Sequence, residues 1–105
     1  MNSVNKVEPV VIIHGGAWAI PEKLSEASRI GVKVAAVKAY NILKHGGTAL
    51  DAVETAVRHL EDEPAFDAGK GSCLNAAGQI EMDASIMDGT SLKAGKNILL
   101  LKFYV

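Results

Sequence analysis

The stretch Leu60-Glu-Asp-Glu-Pro-Ala-Phe-Asp-Ala-Gly-Lys-Gly71 holds four acids, Glu61, Asp62, Glu63 and Asp67, and closes on two glycines one residue apart. Carboxylates at that density suggest a cation. The spacing is not that of a calcium EF-hand, which needs D-x-[DN]-x-[DN]-G followed by a bidentate Glu. A glycine-rich loop can hold a cation in another way, by curling until backbone carbonyls point inward. Such a site hardly depends on side-chain identity. The plainer alternative is a solvated acidic helix end with a turn. Farther on, Glu81 and Asp83 stand on one face of a candidate strand. A carboxylate pair of that kind can serve acid/base chemistry, or simply be surface charge. His14, His45, His59 and Cys73 lack the close spacing of zinc ligands.

These groups need elements to position them. Pro9-Val-Val-Ile-Ile13 is an unbroken apolar run between Pro and Gly, which predicts a fully buried strand. His14-Gly-Gly-Ala-Trp18 follows, and its glycine pair allows unusual backbone angles and close approach by another group. That segment is either the edge of an active site or a plain connection. His14 reads as a hydrogen-bonding structural residue rather than a base, and Trp18 as a packing residue. Leu24 to Lys44 is helical in pattern, with Ala27, Ile30, Val34 and Val37 as its apolar stripe. Gly46-Gly47 ends it as a glycine C-cap. Thr48-x-x-Asp51 then has the form of a capping box. Ala49, Ala52, Val53, Ala56, Val57 and Leu60 form the stripe of a second helix, which Pro64 terminates. Residues 72–74 and 79–87 read as two strands joined by the turn Asn75-Ala-Ala-Gly78, and Asp88-Gly89 as another turn.

Composition narrows the function classes. A chain of 105 residues makes one domain at most, with a modest core. A net charge of −1 without a basic cluster argues against a nucleic-acid partner. Cys73 is the single cysteine, so no internal disulfide forms, which suits a reducing compartment. The apolar run near the start is too short for a signal peptide or a membrane span, so the expected location is cytoplasmic.

Four stretches occur together and in order: IHGGAWAIP at 13–21, GGTALDAVETAV at 46–57, LEDEPAFDAGKGS at 60–72 and EMDASIMDG at 81–89. Together they resemble the plant-type L-asparaginases, or isoaspartyl peptidases, which are threonine-nucleophile hydrolases of the N-terminal-nucleophile class. Glycosylasparaginases, the alternative branch, share the GG-x-ALDAVE and D-x-x-IMDG pieces but neither the HGGA opening nor this loop. The resemblance covers residues 10–95 and breaks at Lys96, leaving 96–105 as a divergent, very apolar tail within a single partial domain.

The resemblance implies an α/β (α+β) fold, the leading portion of a four-layer αββα sandwich that is incomplete in this chain. Its sheet would draw strands from 9–13, 72–74 and 79–87, with 97–104 as a further candidate. It also implies a structural sodium ion held by the backbone carbonyls of Leu60, Glu61, Glu63, Phe66, Ala68 and Lys70. Gly15 and Gly16 would lie near the nucleophile in a mobile segment. Asp67, where the family often has Asn, would put a carboxylate beneath the nucleophile. The family frees its nucleophile by self-cleavage before a threonine in a GTVGA-like motif, and the new terminal amine acts as base. That motif does not occur in the 105 residues: Gly47-Thr48-Ala49 and Gly89-Thr90-Ser91 both differ from it. No catalytic residue is therefore carried over. The amide substrate and a family-type homodimer are expected only of a complete enzyme. This chain alone is expected to be inactive, and a non-catalytic fragment that binds a cation or a fuller subunit is the alternative.

Overall fold

The computed structural model describes residues 7–97, so the strand candidate at 97–104 lies, beyond Asn97, outside the described residues. The element order is α1 (Glu22–Lys44), α2 (Ala49–Asp62), a single 3₁₀ turn (Gly69–Gly71), β1 (Ala84–Met87) and β2 (Ala94–Asn97). Helix α1 starts just after Pro21, with Glu22 in its first turn, where a carboxylate suits the positive end of the helix dipole. It ends as the sequence predicts. Gly46 takes φ +87°, and the amides of Gly46 and Gly47 donate back to the carbonyls of Leu43 and Ile42 at 3.1 and 2.8 Å. Helix α2 begins at the expected cap, where the Thr48 hydroxyl accepts the Asp51 amide at 3.1 Å.

The two helices pack through small residues. The buried positions of α1 are Ser28, Gly31, Ala35 and Ala39, and those of α2 are Ala52 and Ala56. The α1 stripe expected from hydrophobicity is therefore rotated. Ile30 and Val37 are 52% and 59% exposed, while Gly31, Ala35 and Ala39 are buried. Backbones that approach closely leave room only for minimal side chains, so the contact selects for size before apolarity. Ile42, Leu43 and Leu60 close one side of this alanine core, together with Val11 and Ile13.

The segment at 9–13 is extended, but it is not a fully buried strand. Val11 and Ile13 turn onto the helix pair, while Val10 and Ile12 are 78% and 89% exposed. With no partner strand among the described residues, only one face of its pleat finds cover. The expected ladder after the loop is also shorter. Leu74 and Ile80 make one isolated antiparallel bridge across a turn closed by Asn75, whose side chain accepts the amides of Ala77 and Gln79 at 2.9 Å. The continuous ladder is β1 with β2, antiparallel, pairing Ala84 with Asn97 through Met87 with Ala94. Their turn is held by Asp88, whose carboxylate accepts the Ser91 hydroxyl at 2.8 Å and the Thr90 amide at 3.1 Å. Those bonds lower the Asp88 pKa, so their stabilisation is present above the ordinary carboxylate range and is lost as pH falls through the lowered folded value.

The described residues thus form a mixed helix-and-strand unit with a two-stranded sheet. No large side chain among them is fully buried. The radius of gyration is 16.4 Å, against about 13 Å for a closed domain of this length. No described helix is long and apolar enough to cross a membrane. If the small-residue contact sets the packing, Ala35→Leu overfills it and costs about 1–3 kcal/mol. Val37→Lys on the exposed face should change stability by less than about 0.5 kcal/mol. Urea denaturation of both variants checks the ranking, and a costlier Val37→Lys would restore the stripe read from hydrophobicity.

Candidate active-site support and cation loop

The loop after α2 is tied to itself at short range. The Glu63 amide donates to the Leu60 carbonyl at 3.3 Å, and the Phe66 amide to the Glu63 carbonyl at 3.2 Å. The Gly71 amide donates to the Ala68 carbonyl, and the Ser72 amide to the Gly69 carbonyl, both at 3.1 Å. Three of the four acids also have structural work. The Asp62 carboxylate faces the Lys70 ammonium at 3.4 Å, Glu63 Oε1 accepts the Ala65 amide at 3.2 Å, and Asp67 Oδ1 accepts the Cys73 amide at 2.8 Å. Among the described residues no group of three or more His, Cys, Asp or Glu side chains could hold a metal ion. Glu81 and Asp83 are both exposed.

Backbone oxygen is a different matter. The two glycines that close the loop pass directly over carbonyls. A Cβ on Gly69 would collide with the Glu61 carbonyl, and one on Gly71 with the carbonyls of Phe66 and Pro64. Gly69 also has φ +54°, a left-handed angle that favours glycine. Glu61 and Phe66 belong to the six carbonyls named from the sequence, whereas Pro64 does not. The hydroxyl of Ser72, the residue after Gly71, is buried and has no hydrogen-bond partner among the described residues. Loop carbonyls packed against the two glycines, and a buried hydroxyl without a partner, are oxygen donors of the kind a hard monovalent cation takes. The carbonyls of Leu60, Glu63 and Ala68 each already accept one amide, which leaves each a second lone pair. The Lys70 ammonium is directed to Asp62 on the exposed side of the loop.

Phe66 links this loop to the glycine segment. Its side chain is 5% exposed. A Cβ built on Gly15 would lie 2.9 Å from the ring, and one on Gly31 would lie 2.5 Å from it. The ring therefore fills space that two glycines leave open, one in the segment after 9–13 and one in the middle of α1. Gly16 has φ +100°, and its amide donates to His14 Nδ1 at 3.0 Å, the structural role expected for that histidine. Sequence reasoning missed Gly31 and the Phe66 ring. The available signal was a glycine inside a helix, which costs about 1 kcal/mol relative to Ala and so marks a close approach. It also missed the pairing of Asp67 with Cys73. The Asp67 carboxylate raises the thiol pKa chiefly by charge repulsion, with desolvation and the hydrogen bond to Asp67 adding to the rise.

A family model described as asparaginase matches residues 7–102, nearly the whole chain and past the break read at Lys96. The chain belongs to the asparaginase family. It is similar to the isoaspartyl peptidase/L-asparaginase of Xenopus laevis, 55% identical over 89 residues, covering 85% of this chain and 29% of that protein. The Bos taurus protein of the same name is 56% identical over 90 residues, covering 85% of this chain and 29% of its own length. The human one is 52% identical over 90 residues, with the same coverage of both chains. This asparaginase-family chain thus spans under a third of the length of these relatives.

Because Asp67 repels the Cys73 thiolate, Asp67→Asn should lower the thiol pKa and speed alkylation. Iodoacetamide labelling near pH 8 should accelerate roughly threefold, and added salt should accelerate the wild type by screening the same charge. Unchanged rates in both experiments would show that the carboxylate does not govern the thiol.

Proposed function

We propose that this chain is the leading part of a hydrolase that cleaves the side-chain amide of L-asparagine and β-aspartyl peptides. Its own residues support that chemistry and do not attack the substrate. Family membership carries this reading, together with identity above 50% to relatives named isoaspartyl peptidase/L-asparaginase. The attacking threonine hydroxyl would come from residues outside the 105. It would add to the amide carbonyl while the threonine's own terminal amine takes the proton. Ammonia or the peptide amine would then leave, and water would release the aspartyl group.

The support has three parts. The α1–α2 pair would form one helix layer of a four-layer αββα sandwich, a reading supported by the large apolar side chains Ile30, Val37, Val53 and Val57 that stand open on it. The loop at 60–71 would hold a sodium ion through carbonyls of Leu60, Glu61, Glu63, Phe66, Ala68 and Lys70, with Pro64 and Ser72 as further oxygen donors. The ion's contribution is to fix the loop's shape. Gly15, Gly16 and Asp67 would border the nucleophile. The remaining partners are a small amide substrate and a second copy of the complete protein, in the cytoplasm.

A carboxylate at 67 would favour the protonated form of a neighbouring terminal amine and so reduce the free base available at neutral pH. Asn keeps the oxygen that accepts the Cys73 amide and removes the charge. The test replaces the matching part of the Xenopus laevis relative with residues 7–95 of this chain. The chimaera should self-cleave and hydrolyse β-aspartyl dipeptides, and Asp67→Asn should raise its rate at neutral pH by roughly two- to tenfold. A folded, self-cleaved chimaera without hydrolysis would refute the reading.

A further inference from the structure

The residue that closes the carbonyl loop is also the residue that holds the glycine segment. The Phe66 carbonyl lies against Gly71 inside the loop, and the Phe66 ring lies against Gly15 and Gly31 outside it. The ring is buried and Ala65 beside it is equally so, which leaves the side chain little freedom to move independently of its backbone. On the far side, a Cβ on Gly15 would meet both the ring and Val32 Cγ1 at 2.9 Å. Gly15 is therefore seated between the loop's aromatic ring and α1. A shift of the Phe66 backbone that carries the ring with it bears on Gly15 and Gly31, the two glycines whose missing Cβ atoms the ring replaces.

From this geometry we propose that Phe66 is a positioning residue that couples a monovalent cation in the loop to the Gly15–Gly16 segment. The coupling rests on the cation reading above. An ion drawn to the Phe66 carbonyl fixes the loop backbone, the ring follows, and the ring fixes the backbone of Gly15. Gly16 moves with it, since its amide is held by His14 Nδ1 in the same short segment. A fixed Gly15–Gly16 backbone presents its amides in one arrangement, whereas a loop without the ion would let them vary. Cation dependence in this protein would then act through segment geometry at a distance from the ion, with the phenyl ring as the connecting part.

The test is a sodium chloride titration of the uniformly nitrogen-15-labelled chain, followed by amide and α-proton resonances, with choline chloride as the ionic-strength control. Gly69 and Gly71 report the loop. Gly15 and Gly31 report the ring, whose current displaces their α-protons. Gly46 and Gly78, where a Cβ would meet only open space, serve as internal controls. The expected result is that Gly15, Gly16 and Gly31 titrate with the same midpoint as Gly69 and Gly71, while Gly46 and Gly78 stay still. In Phe66→Leu the loop glycines should still titrate and the response at Gly15 and Gly16 should be lost. Loop glycines that titrate in the wild type without Gly15 and Gly16 would overturn the coupling and leave the cation reading standing. If the loop glycines do not respond to sodium, the cation reading fails and the coupling fails with it. The wild-type titration decides these outcomes even if Phe66→Leu does not fold.

Discussion

The structure depends on close approach. Where other domains bury leucine and phenylalanine between their elements, this chain buries alanine between α1 and α2 and sets a single phenyl ring onto two glycines. Removing a Cβ lets backbones come near enough for dispersion contacts to accumulate along the whole helix face, although each contact is small. The same geometry leaves no slack. A methyl group at Gly31 has nowhere to go unless the Phe66 ring yields, and a methyl group at Gly71 meets the loop's own carbonyls. Position in this unit is set by what is missing from the side chains.

That constraint explains how the loop after α2 keeps a defined shape. Leu60 packs on the alanine core at the end of α2, and Phe66 anchors the loop six residues later against α1 and the glycine segment. Between these anchors the carboxylates of Glu63 and Asp67 accept backbone amides, and Asp62 meets Lys70. Exposed ion pairs contribute little on their own. The acids serve chiefly to satisfy backbone donors, which leaves carbonyl oxygen as the chemistry the loop can offer.

Much of this was legible in the sequence where local chemistry decides it. The Thr48 cap and the Gly46 stop were readable because each depends on one residue and its immediate neighbours. The four motif stretches gave the family. The orientation of α1 was not legible: hydrophobicity favours Ile30 and Val37, whereas backbone approach favours Gly31 and Ala35, and only the partner helix decides between them. Strand pairing failed for a related reason. The residues at 9–13 have a strand's composition, but a ladder needs a partner, and none lies beside them among the described residues. The contact between Phe66 and Gly15 joins positions about fifty apart, and no local pattern encodes that.

The central claim is that the Phe66 ring occupies the space left by the missing Cβ groups, and Gly31 tests it by sign. Glycine to alanine inside a helix ordinarily stabilises by about 0.5–1 kcal/mol. A double-mutant cycle with Gly31→Ala and Phe66→Leu, read by urea denaturation, isolates the contact. The account predicts that Gly31→Ala destabilises the wild type by about 1–2 kcal/mol through overpacking, and that the penalty shrinks or reverses in Phe66→Leu. If Gly31→Ala stabilises the chain to the same degree in both backgrounds, the ring does not fill that space and the account is wrong.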